Sequence, residues 1–520
     1  MTPIGTPVAK KSIVIIGAGI AGLATGCYAQ MNGYTTRIVE MAARPGGVCT
    51  SWKRQEYIFD GCMALLAGVR PGSPLNRVWQ ELGALVGRDV VMHDELARIE
   101  GRDGRTLIAY ADADRLEEHL RELAPADAAL SHRLCEVIRR CAALDLPRAN
   151  TLGGTDTRAW LRTGAGLLPV LPTLVGWSRL RWQEFAARYR DRFLRDAMRA
   201  LFDLPDMPLL AAVVPLVLLH AGDGGHPIGG SLAFAQAIEQ RYRELGGQID
   251  YAARVTKILV EGQRAVGVRL ADGREYRANY VISAADGRTT IFELLEGRYL
   301  DQRIRRQYAR GALAAPLVQV SLGLARDLAG EPRWLQFPLR TPVSITGEVR
   351  ESLTVHHCGY DPTMAPTGKT AVAVWLETNH EWWAERGQDA ERYGAEKQRS
   401  ADAVVQALDE RFPGLAQVVE VVDVATPLTW VRHTGNWRGA AEGWAHGRRM
   451  TLSVIRGARR TLPGLGNFFM VGQWVWPGGG LNTVAMAGRG LVQMLCKQDH
   501  RRFVARLASH PPARILPDFG

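Results

Sequence analysis

A β-branched run that leads into three spaced glycines near the start of the chain constrains the fold most strongly. The run Ser12–Ile16 reads SIVII, and Gly17-Ala18-Gly19-Ile20-Ala21-Gly22 follows it before a stretch of small residues. A buried parallel strand, a tight turn and a helix produce this order: the first glycine permits the turn, the second lets the backbone approach a pyrophosphate, and the third lets the helix pack on its strand. The helix N-terminus would face the anion. The sequence thus predicts a Rossmann-type unit that binds a dinucleotide through residues 17–22.

The end of the next predicted strand carries an acidic residue where such units bind a ribose. Thr35–Val39 is the strand, and Glu40 follows it, eighteen residues after Gly22. A carboxylate at this place can accept hydrogen bonds from ribose hydroxyls, which favours an adenosine without a 2′-phosphate.

A glycine pair lies directly beyond this acid, in the sequence ARPGG of residues 43–47. So close to the ribose acid, the pair suggests backbone amides that touch the diphosphate a second time. The pattern is similar to that of FAD enzymes of the amine oxidase and carotenoid desaturase group, which favours a flavin over a nicotinamide. The cofactor contacts predicted here are Met41, Arg44, Gly46, Gly47 and Val48.

Another glycine cluster lies more than four hundred residues later. Asn467–Val471 predicts a strand that leads into Gly472, and Pro477-Gly478-Gly479-Gly480 precedes a small-residue helix over Asn482–Leu495. A helix N-terminus aimed at the pyrimidine side of a flavin would stabilise the negative charge that collects there on reduction. We therefore interpret the cluster as the other wall of one FAD cleft, with contacts from Gly472, Gln473, Gly478, Gly479, Gly480 and Leu481.

The predicted elements give an α/β fold class in which a Rossmann-type FAD-binding domain is assembled from discontinuous segments. A mixed-sheet substrate domain and a helical subdomain that could contact a membrane complete it. The predicted boundaries are residues 1–90, 226–290 and 431–500 for the FAD-binding domain, 91–225 for the helical subdomain, 291–430 for the substrate sheet and 501–520 for a tail.

Several elements are predicted within these segments. HPIGGS opens a helix over Ser231–Gly246 with Ser231 as its N-cap, and a backbone contact to the adenine side is expected near Val255. The predicted strands are Tyr57–Asp60, Ile249–Val260, Ala265–Leu270, Tyr280–Ser283, Pro316–Leu324, Ala371–Glu377 and Val418–Ala425, with a charged helix over about 386–412.

Two apolar stretches, residues 164–177 and 207–222, stand out in the predicted helical subdomain. Trp160, Trp177 and Trp182 lie at or near the ends of the first. Apolar centres with tryptophan and arginine at the margins suit helices in a membrane interface, whereas core packing or the lining of an apolar tunnel would explain them equally well. Both stretches are too short to span a bilayer.

The charge and the cysteine content argue against two classes of function, nucleic-acid binding and metal binding. The formal charge is +11, but no long basic run is interleaved with aromatics, so nucleic acid is not an expected partner. The seven cysteines are scattered and show no metal-ligand spacing, which indicates free thiols in a reducing compartment and no metal site. We expect a cytoplasmic protein that could lie peripherally on the inner face of the membrane.

These motifs together resemble the phytoene desaturase–carotenoid isomerase–retinol saturase family of flavoproteins. The resemblance covers most of the chain and rests on GAGIAGLATG, VEMAARPGGVCTSW, YIFDGC, HPIGGS, VISAADG, YDPTMAPTGKT, RHTGNWRG with EGW, and VGQWVWPGGGLNTVAMAGRG. YDPTMAPTGKT and RHTGNWRG are most similar to the saturase-like branch and its bacterial relatives. The resemblance implies a non-covalent FAD and redox or isomerisation chemistry on an isoprenoid or other hydrophobic molecule.

Carried over motif by motif, the resemblance also implies individual residues. It assigns FAD contacts to Gly17, Gly19, Gly22, Glu40, Gly46, Gly47, Val255, Gly472 and Gly478–Leu481. The chain departs from the family pattern at Gln473, where relatives often have an acid, and at His433 and His380, where they tend to have an aromatic residue. The histidines would lie near the substrate side.

Candidates for the chemistry itself are few. His433 is the first candidate for proton transfer because imidazole titrates near neutrality, and Glu377 and His380 in WLETNHEWW are the second. Trp474 and Trp476 flank the predicted flavin turn and could lie flat against an unsaturated substrate. Structural packing is the alternative role for each of these residues.

The sequence therefore favours an FAD-dependent oxidoreductase that desaturates or saturates C–C bonds of a hydrophobic substrate. The electron partner would be oxygen, a quinone or transiently bound NAD(P)H. Alternatives are a redox-neutral polyene isomerase, a soluble tailoring oxidase that acts on an amine, and a flavin-bound scaffold without turnover.

Overall fold

The computed structural model describes residues 10–143, 171–204, 206–445, 460–475, 479–509 and 513–517. The first part of the chain forms β1 (Ser12–Ile16), α1 (Ile20–Met31), β2 (Thr35–Val39), β3 (Ser51–Arg54), β4 (Tyr57–Asp60), β5 (Leu66–Ala67), α2 (Pro74–Leu82), β6 (Asp89–Met92), β7 (Glu95–Glu100), β8 (Thr106–Tyr110), α3 (Ala113–Leu123) and α4 (Ala128–Ala142). The middle part forms α5 (Leu171–Trp177), α6 (Trp182–Ala186), α7 (Arg192–Leu201), α8 (Leu209–His220), β9 (Gly224–Pro227), α9 (Gly230–Glu244), β10 (Gln248–Asp250), β11 (Val255–Glu261), β12 (Arg264–Leu270), β13 (Glu275–Arg277), β14 (Tyr280–Ser283) and α10 (Gln302–Arg310). The last part forms β15 (Leu317–Leu324), β16 (Trp334–Ile345), β17 (Glu348–His357), β18 (Thr370–Glu377), α11 (His380–Arg386), α12 (Ala390–Arg411), β19 (Val419–Ala425), α13 (Pro427–Thr434), β20 (Phe468–Met470), α14 (Leu481–Gln498) and β21 (Arg514–Pro517).

A parallel five-stranded sheet in the order β10-β2-β1-β14-β20 forms the dinucleotide-binding half. Its strands alternate between two cores, because successive side chains point to opposite faces. Ile13 and Ile15 pack with helices α1, α9 and α14, whereas Val14 and Ile16 pack with the antiparallel sheet β11-β12-β13. These strands come from distant parts of the chain, so the predicted discontinuous Rossmann-type α/β fold is confirmed.

One predicted strand is divided in the structure. Residues 249–260 were expected to run as one strand, but β10 ends at Asp250 and β11 begins at Val255. Between them the amide of Ala252 donates to the carbonyl oxygen of Ala42, and the amide of Ala253 donates to that of Glu40. These bonds turn the chain out of the parallel sheet and into the antiparallel one.

The predicted N-cap of the HPIGGS helix is also wrong. Helix α9 begins at Gly230, and its N-cap Gly229 has a left-handed φ of 101°. Ser231 lies inside the first turn, where its amide and hydroxyl both donate to the carboxylate of Asp60, at 2.6 and 2.7 Å. Ser231 therefore ties this helix to hairpin β3-β4.

A mixed seven-stranded sheet in the order β19-β15-β18-β17-β16-β7-β8 forms the second half. Helix α12 covers one face over an apolar core. The sequence predicted only three of these strands, and it predicted helices throughout 91–225. Strands β7 and β8 instead extend this sheet, since β7 pairs in parallel with the long hairpin β16-β17. The pairing joins residues more than two hundred positions apart, which a local pattern does not report.

Helices α3–α8 pack around their own core. Trp177 and Trp182 are buried in it, which agrees with core packing, one of the two alternatives for these tryptophans. Trp160 and residues 164–170 lie outside the described residues. Among the helices that the structure describes, none is both long and apolar enough to cross a bilayer.

Candidate functional site

The first glycine turn has the geometry that a dinucleotide requires. The amide of Gly17 donates to the carbonyl oxygen of Val39 at 2.9 Å, and Gly17 has a left-handed φ of 100°. A Cβ atom at Gly22 would overlap the carbonyl oxygen of Gly17. Helix α1 begins at Ile20 with Gly19 as N-cap, so its free amides face the cavity described below.

The second glycine pair lies directly against this turn. The amide of Gly46 donates to the carbonyl oxygen of Ala18 at 2.9 Å, and Gly19 and Gly46 form an isolated parallel bridge. Gly46 and Gly47 have φ values of 112° and 62°, which favour glycine. The two predicted glycine motifs therefore form one continuous backbone surface.

Glu40 occupies the predicted place at the end of β2. Its carboxylate accepts the amides of Ala18 at 2.6 Å and Ala42 at 2.8 Å. Burial raises the pKa of this carboxyl group, and the backbone amides oppose the rise. A carboxylate held in this way between two turns has its position fixed before any ribose binds.

The C-terminal glycine segment forms the opposite wall. Gly472 has a left-handed φ of 107°, and a Cβ atom there would contact the side chain of Ala21 in α1 at 3.4 Å. Helix α14 begins at Leu481 with Gly480 as its N-cap. Gly479 is buried beside Glu442, while Gly478 and Trp476 lie outside the described residues.

One cavity of about 710 Å³ connects these segments. Its lining includes thirteen of the predicted cofactor contacts, namely Gly17, Gly19, Ile20, Ala21, Met41, Gly46, Gly47, Val48, Val255, Gly472, Gln473, Gly480 and Leu481. The N-terminal and the C-terminal glycine segments therefore line the same cavity. Two further predicted contacts lie next to the lining: Gly22 packs against Gly17, and Glu40 accepts the amide of Ala18. Arg44 is exposed outside the cavity.

The same cavity extends over the face of the seven-stranded sheet. Trp375 and Glu377 line it, whereas the intervening Leu376 lies in the core beneath α12. This is the alternation expected of a strand with two packed faces. Most of the remaining lining is apolar and comes from residues 61–65, Leu204, Met207, residues 312–315, Leu317 and Trp430.

The structure separates the predicted catalytic residues into two groups. Glu377 and Trp474 line the cavity. His433 is exposed near the end of α13, where burial and the charges of Arg44 and Arg432 lower its pKa. His380 begins α11 outside the lining, and partial burial lowers its pKa. Neither histidine is among the residues that line the cavity.

Other polar lining residues were not predicted. Gln319, Asn436 and Glu442 reach the cavity through long-range packing. Asp286 accepts the amides of Thr289 at 2.7 Å and Trp437 at 3.0 Å, and burial raises its pKa. Its position three residues after the end of strand β14, in the motif VISAADG, is the one signal that could have identified it.

Trp474 joins the cavity wall to an aromatic cluster. Its ring lies 5.6 Å from that of Trp444 and 6.3 Å from that of Trp437, measured between centroids. The indole of Trp444 donates to the carbonyl oxygen of Trp474 at 3.1 Å. These contacts fix the orientation of Trp474. Among the described residues, no group of three His, Cys, Asp or Glu side chains is placed to hold a metal ion.

Comparison with known proteins agrees with this geometry. A model of the NAD(P)-binding Rossmann-like domain matches residues 15–82. The phytoene desaturase (lycopene-forming) of Paracoccus sp. is 25% identical over 505 residues, or 94% of this chain and 97% of that protein. The phytoene desaturase (neurosporene-forming) of Rhodobacter capsulatus is 26% identical over 516 residues, with 93% of each chain covered. The chloroplastic prolycopene isomerase of Arabidopsis thaliana is 24% identical over 493 residues, or 91% of this chain and 81% of that protein.

Solved structures share the fold at lower identity. An oxidoreductase from Methanosarcina mazei has a TM-score of 0.57 at 17% identity and covers 93% of this chain and 100% of its own. A redesigned putrescine oxidase has a TM-score of 0.60 at 13% identity, with 95% and 100% covered. These solved structures show the shared fold, and the similarity to desaturases over most of the chain supports an oxidoreductase of the flavoprotein class. Within that class the chain is a homologue of the phytoene desaturases and prolycopene isomerases, which confirms the resemblance found in the sequence.

Proposed function

We propose that the chain is an FAD-dependent oxidoreductase that desaturates or saturates C–C bonds of an isoprenoid or polyene-like substrate. The observation that carries this proposal is the single cavity, in which two glycine walls and an apolar chamber are continuous. The names of the homologous desaturases and isomerases support a hydrophobic polyene substrate.

The residues present fit a non-covalent FAD. The glycine backbones leave room where any side chain would intrude, as the overlap at Gly22 and the left-handed Gly17 and Gly46 show. The N-terminus of α1 would bind the diphosphate, and Glu40 would bind the ribose. The N-terminus of α14 would stabilise negative charge at the flavin end of the cleft. When bound, the flavin supplies the two-electron chemistry.

The protein would contribute orientation and exclusion of water. Trp375, Trp430 and Trp474 contribute apolar ring surface to the lining of the cavity. Hydride transfer requires the reacting carbon to be held against the cofactor, and positioning alone lowers the barrier substantially. The second hydrogen would leave or arrive as a proton, exchanged with solvent at the open end of the cavity, so the proposal assigns no protein acid or base to the reacting carbon.

The chamber opens beside the helical subdomain. Leu204 lines the cavity and is 37% exposed, and the amide of Trp182 donates to the carbonyl oxygen of Met207, another lining residue. Leu171, Val175 and Val214 expose apolar side chains on the neighbouring helices. We therefore include peripheral membrane contact in the proposal, on the cytoplasmic face, with oxygen, a quinone or NAD(P)H as electron partner.

Anaerobic mixing of the purified flavoprotein with carotenoid precursors tests the main proposal. We expect the flavin spectrum to change and the product mass to differ from the substrate mass by two hydrogens per turnover. A product of unchanged mass and altered double-bond geometry would instead establish isomerisation, the second candidate that the prolycopene isomerases support. A protein that binds no FAD would contradict both.

Flotation with anionic vesicles tests the membrane contact. The double variant Val175→Glu/Val214→Glu should lose vesicle binding because it places charge on the exposed apolar face. Val422 is 43% exposed on strand β19, so Val422→Glu is a matched control that should bind as the wild type does. Equal flotation of all three proteins would exclude this contact.

A further inference from the structure

One carboxylate lies on the substrate side of the cavity without a polar partner. Glu377 ends β18 opposite Leu317 of β15 and lines the cavity. Within the part of the chain that the structure describes, no hydrogen bond or ion pair reaches its carboxylate oxygens. An apolar chamber that served only a hydrocarbon would gain nothing from a carboxylate, whose desolvation is costly.

Arg350, whose charge acts on this carboxylate, forms its ion pair with Glu348 instead. Nη2 of Arg350 donates to the carboxylate of Glu348 at 2.6 Å and to the backbone carbonyl oxygen of Glu377. Arg350 therefore holds the end of the strand, while the side chain of Glu377 stays available to the cavity. This bond fixes the backbone at the end of the strand, from which the side chain of Glu377 lines the cavity.

The electrostatic surroundings of Glu377 favour the binding of a hydrogen-bond donor to its carboxylate. Burial raises the pKa of Glu377, the charge of Asp203 raises it further, and Arg350 opposes the rise. Asp203 directly precedes Leu204, which lines the opening of the cavity. Glu377 thus lies where the apolar chamber meets an exposed acidic loop.

We infer that Glu377 determines specificity by binding the hydrogen-bond-donating head of an amphipathic substrate, a hydroxyl or protonated amine on an apolar chain. The inference rests on the proposed function, because the apolar chain would occupy the same chamber. A donor at the head would replace the water that Glu377 loses on burial, and the chain would pack against Trp375 and Leu317. A pure hydrocarbon would cover the half-buried carboxylate without offering it a hydrogen-bond donor.

Three probes of one chain length test this inference on the flavin-loaded protein. They are farnesol, farnesylamine and farnesene, and their dissociation constants are measured by tryptophan fluorescence and by the flavin absorbance shift. We expect farnesol and farnesylamine to bind about tenfold more tightly than farnesene, the usual effect of one hydrogen bond to a charged group.

Variants assign the preference to one side chain. Glu377→Leu should bind all three probes equally, whereas Glu377→Gln should keep the preference for farnesol, which an amide oxygen can accept, and lose the preference for farnesylamine. Glu348→Gln removes a neighbouring charge outside the cavity lining and should change the ratios by less than about twofold. Full flavin content in each variant shows that the fold is retained.

The outcomes separate this inference from the function on which it rests. Equal binding of the three probes by the wild type, or a preference that survives in Glu377→Leu, overturns the inference alone. Failure of all three probes to bind the flavin-loaded protein overturns the proposed substrate class and the inference together.

Discussion

The two sides of the cavity are built from different parts of the polypeptide. On the cofactor side the surface is mostly backbone, with glycines and helix N-termini that leave space and offer amides. On the substrate side the surface is side chains, among them Trp375, Glu377 and Trp430, held on strands and helices from distant segments. A backbone surface tolerates almost no substitution, whereas a side-chain surface can change its ligand without a change of fold.

The largest effect is expected from a substitution in the glycine turn, on the cofactor side of the cavity. Gly22→Ala places a Cβ atom on the carbonyl oxygen of Gly17, and neither backbone segment can move without displacing α1 from β1. We expect the variant to lose bound flavin, with affinity reduced more than about a hundredfold. Flavin content after purification and titration of the apoprotein measure this loss.

A second glycine provides the matched control. Gly394 lies in α12, and a Cβ atom there would meet nothing within 4 Å. Gly394→Ala should keep its flavin and gain up to about 1 kcal/mol of stability, because alanine is the better helix former. Loss of flavin from both variants would mean that the effect at Gly22 is not specific to the turn.

A smaller effect is expected when the substrate side is filled. Ala315 lines the chamber, and Ala315→Phe should weaken ligand binding roughly tenfold or more through overpacking while flavin content stays unchanged. Ala329→Phe at an exposed position is the control. Loss of flavin in Ala315→Phe would show that the two sides of the cavity are not separable.

The same difference explains what the sequence could predict. The glycine turns, Glu40 and strands β1, β2 and β14 follow from local patterns, and the structure has these strands with the predicted bounds. The place of β7 and β8 in the substrate sheet does not, because it depends on pairing with hairpin β16-β17. Likewise Glu377 was recognisable as a candidate, but the absence of an ion pair between its carboxylate and Arg350 is a property of packing.

The smallest effect is expected on the stability of the protein, through the carboxylate of Glu377, which is partly buried without an ion pair to any of the described residues. Because the pKa of Glu377 is raised above its ordinary value of 4.5, its contribution to stability is present below that pH and is lost as pH rises through the raised value. Glu377→Gln carries no such loss. The melting temperature of this variant should therefore equal that of the wild type near pH 4.5 and exceed it by about one to two degrees at pH 8.

The pH dependence of the melting temperature distinguishes the destabilisation by ionised Glu377 from a change in packing. A packing effect of Glu377→Gln would shift the melting temperature by the same amount at every pH. Glu348→Gln, which removes an acid that is ion-paired with Arg350, should show no gain that grows with pH. If the gap between Glu377→Gln and the wild type stayed constant or shrank as pH rose, Glu377 would have a partner on the substrate side, and this side would resemble the cofactor side in satisfying its polar groups before any ligand arrives.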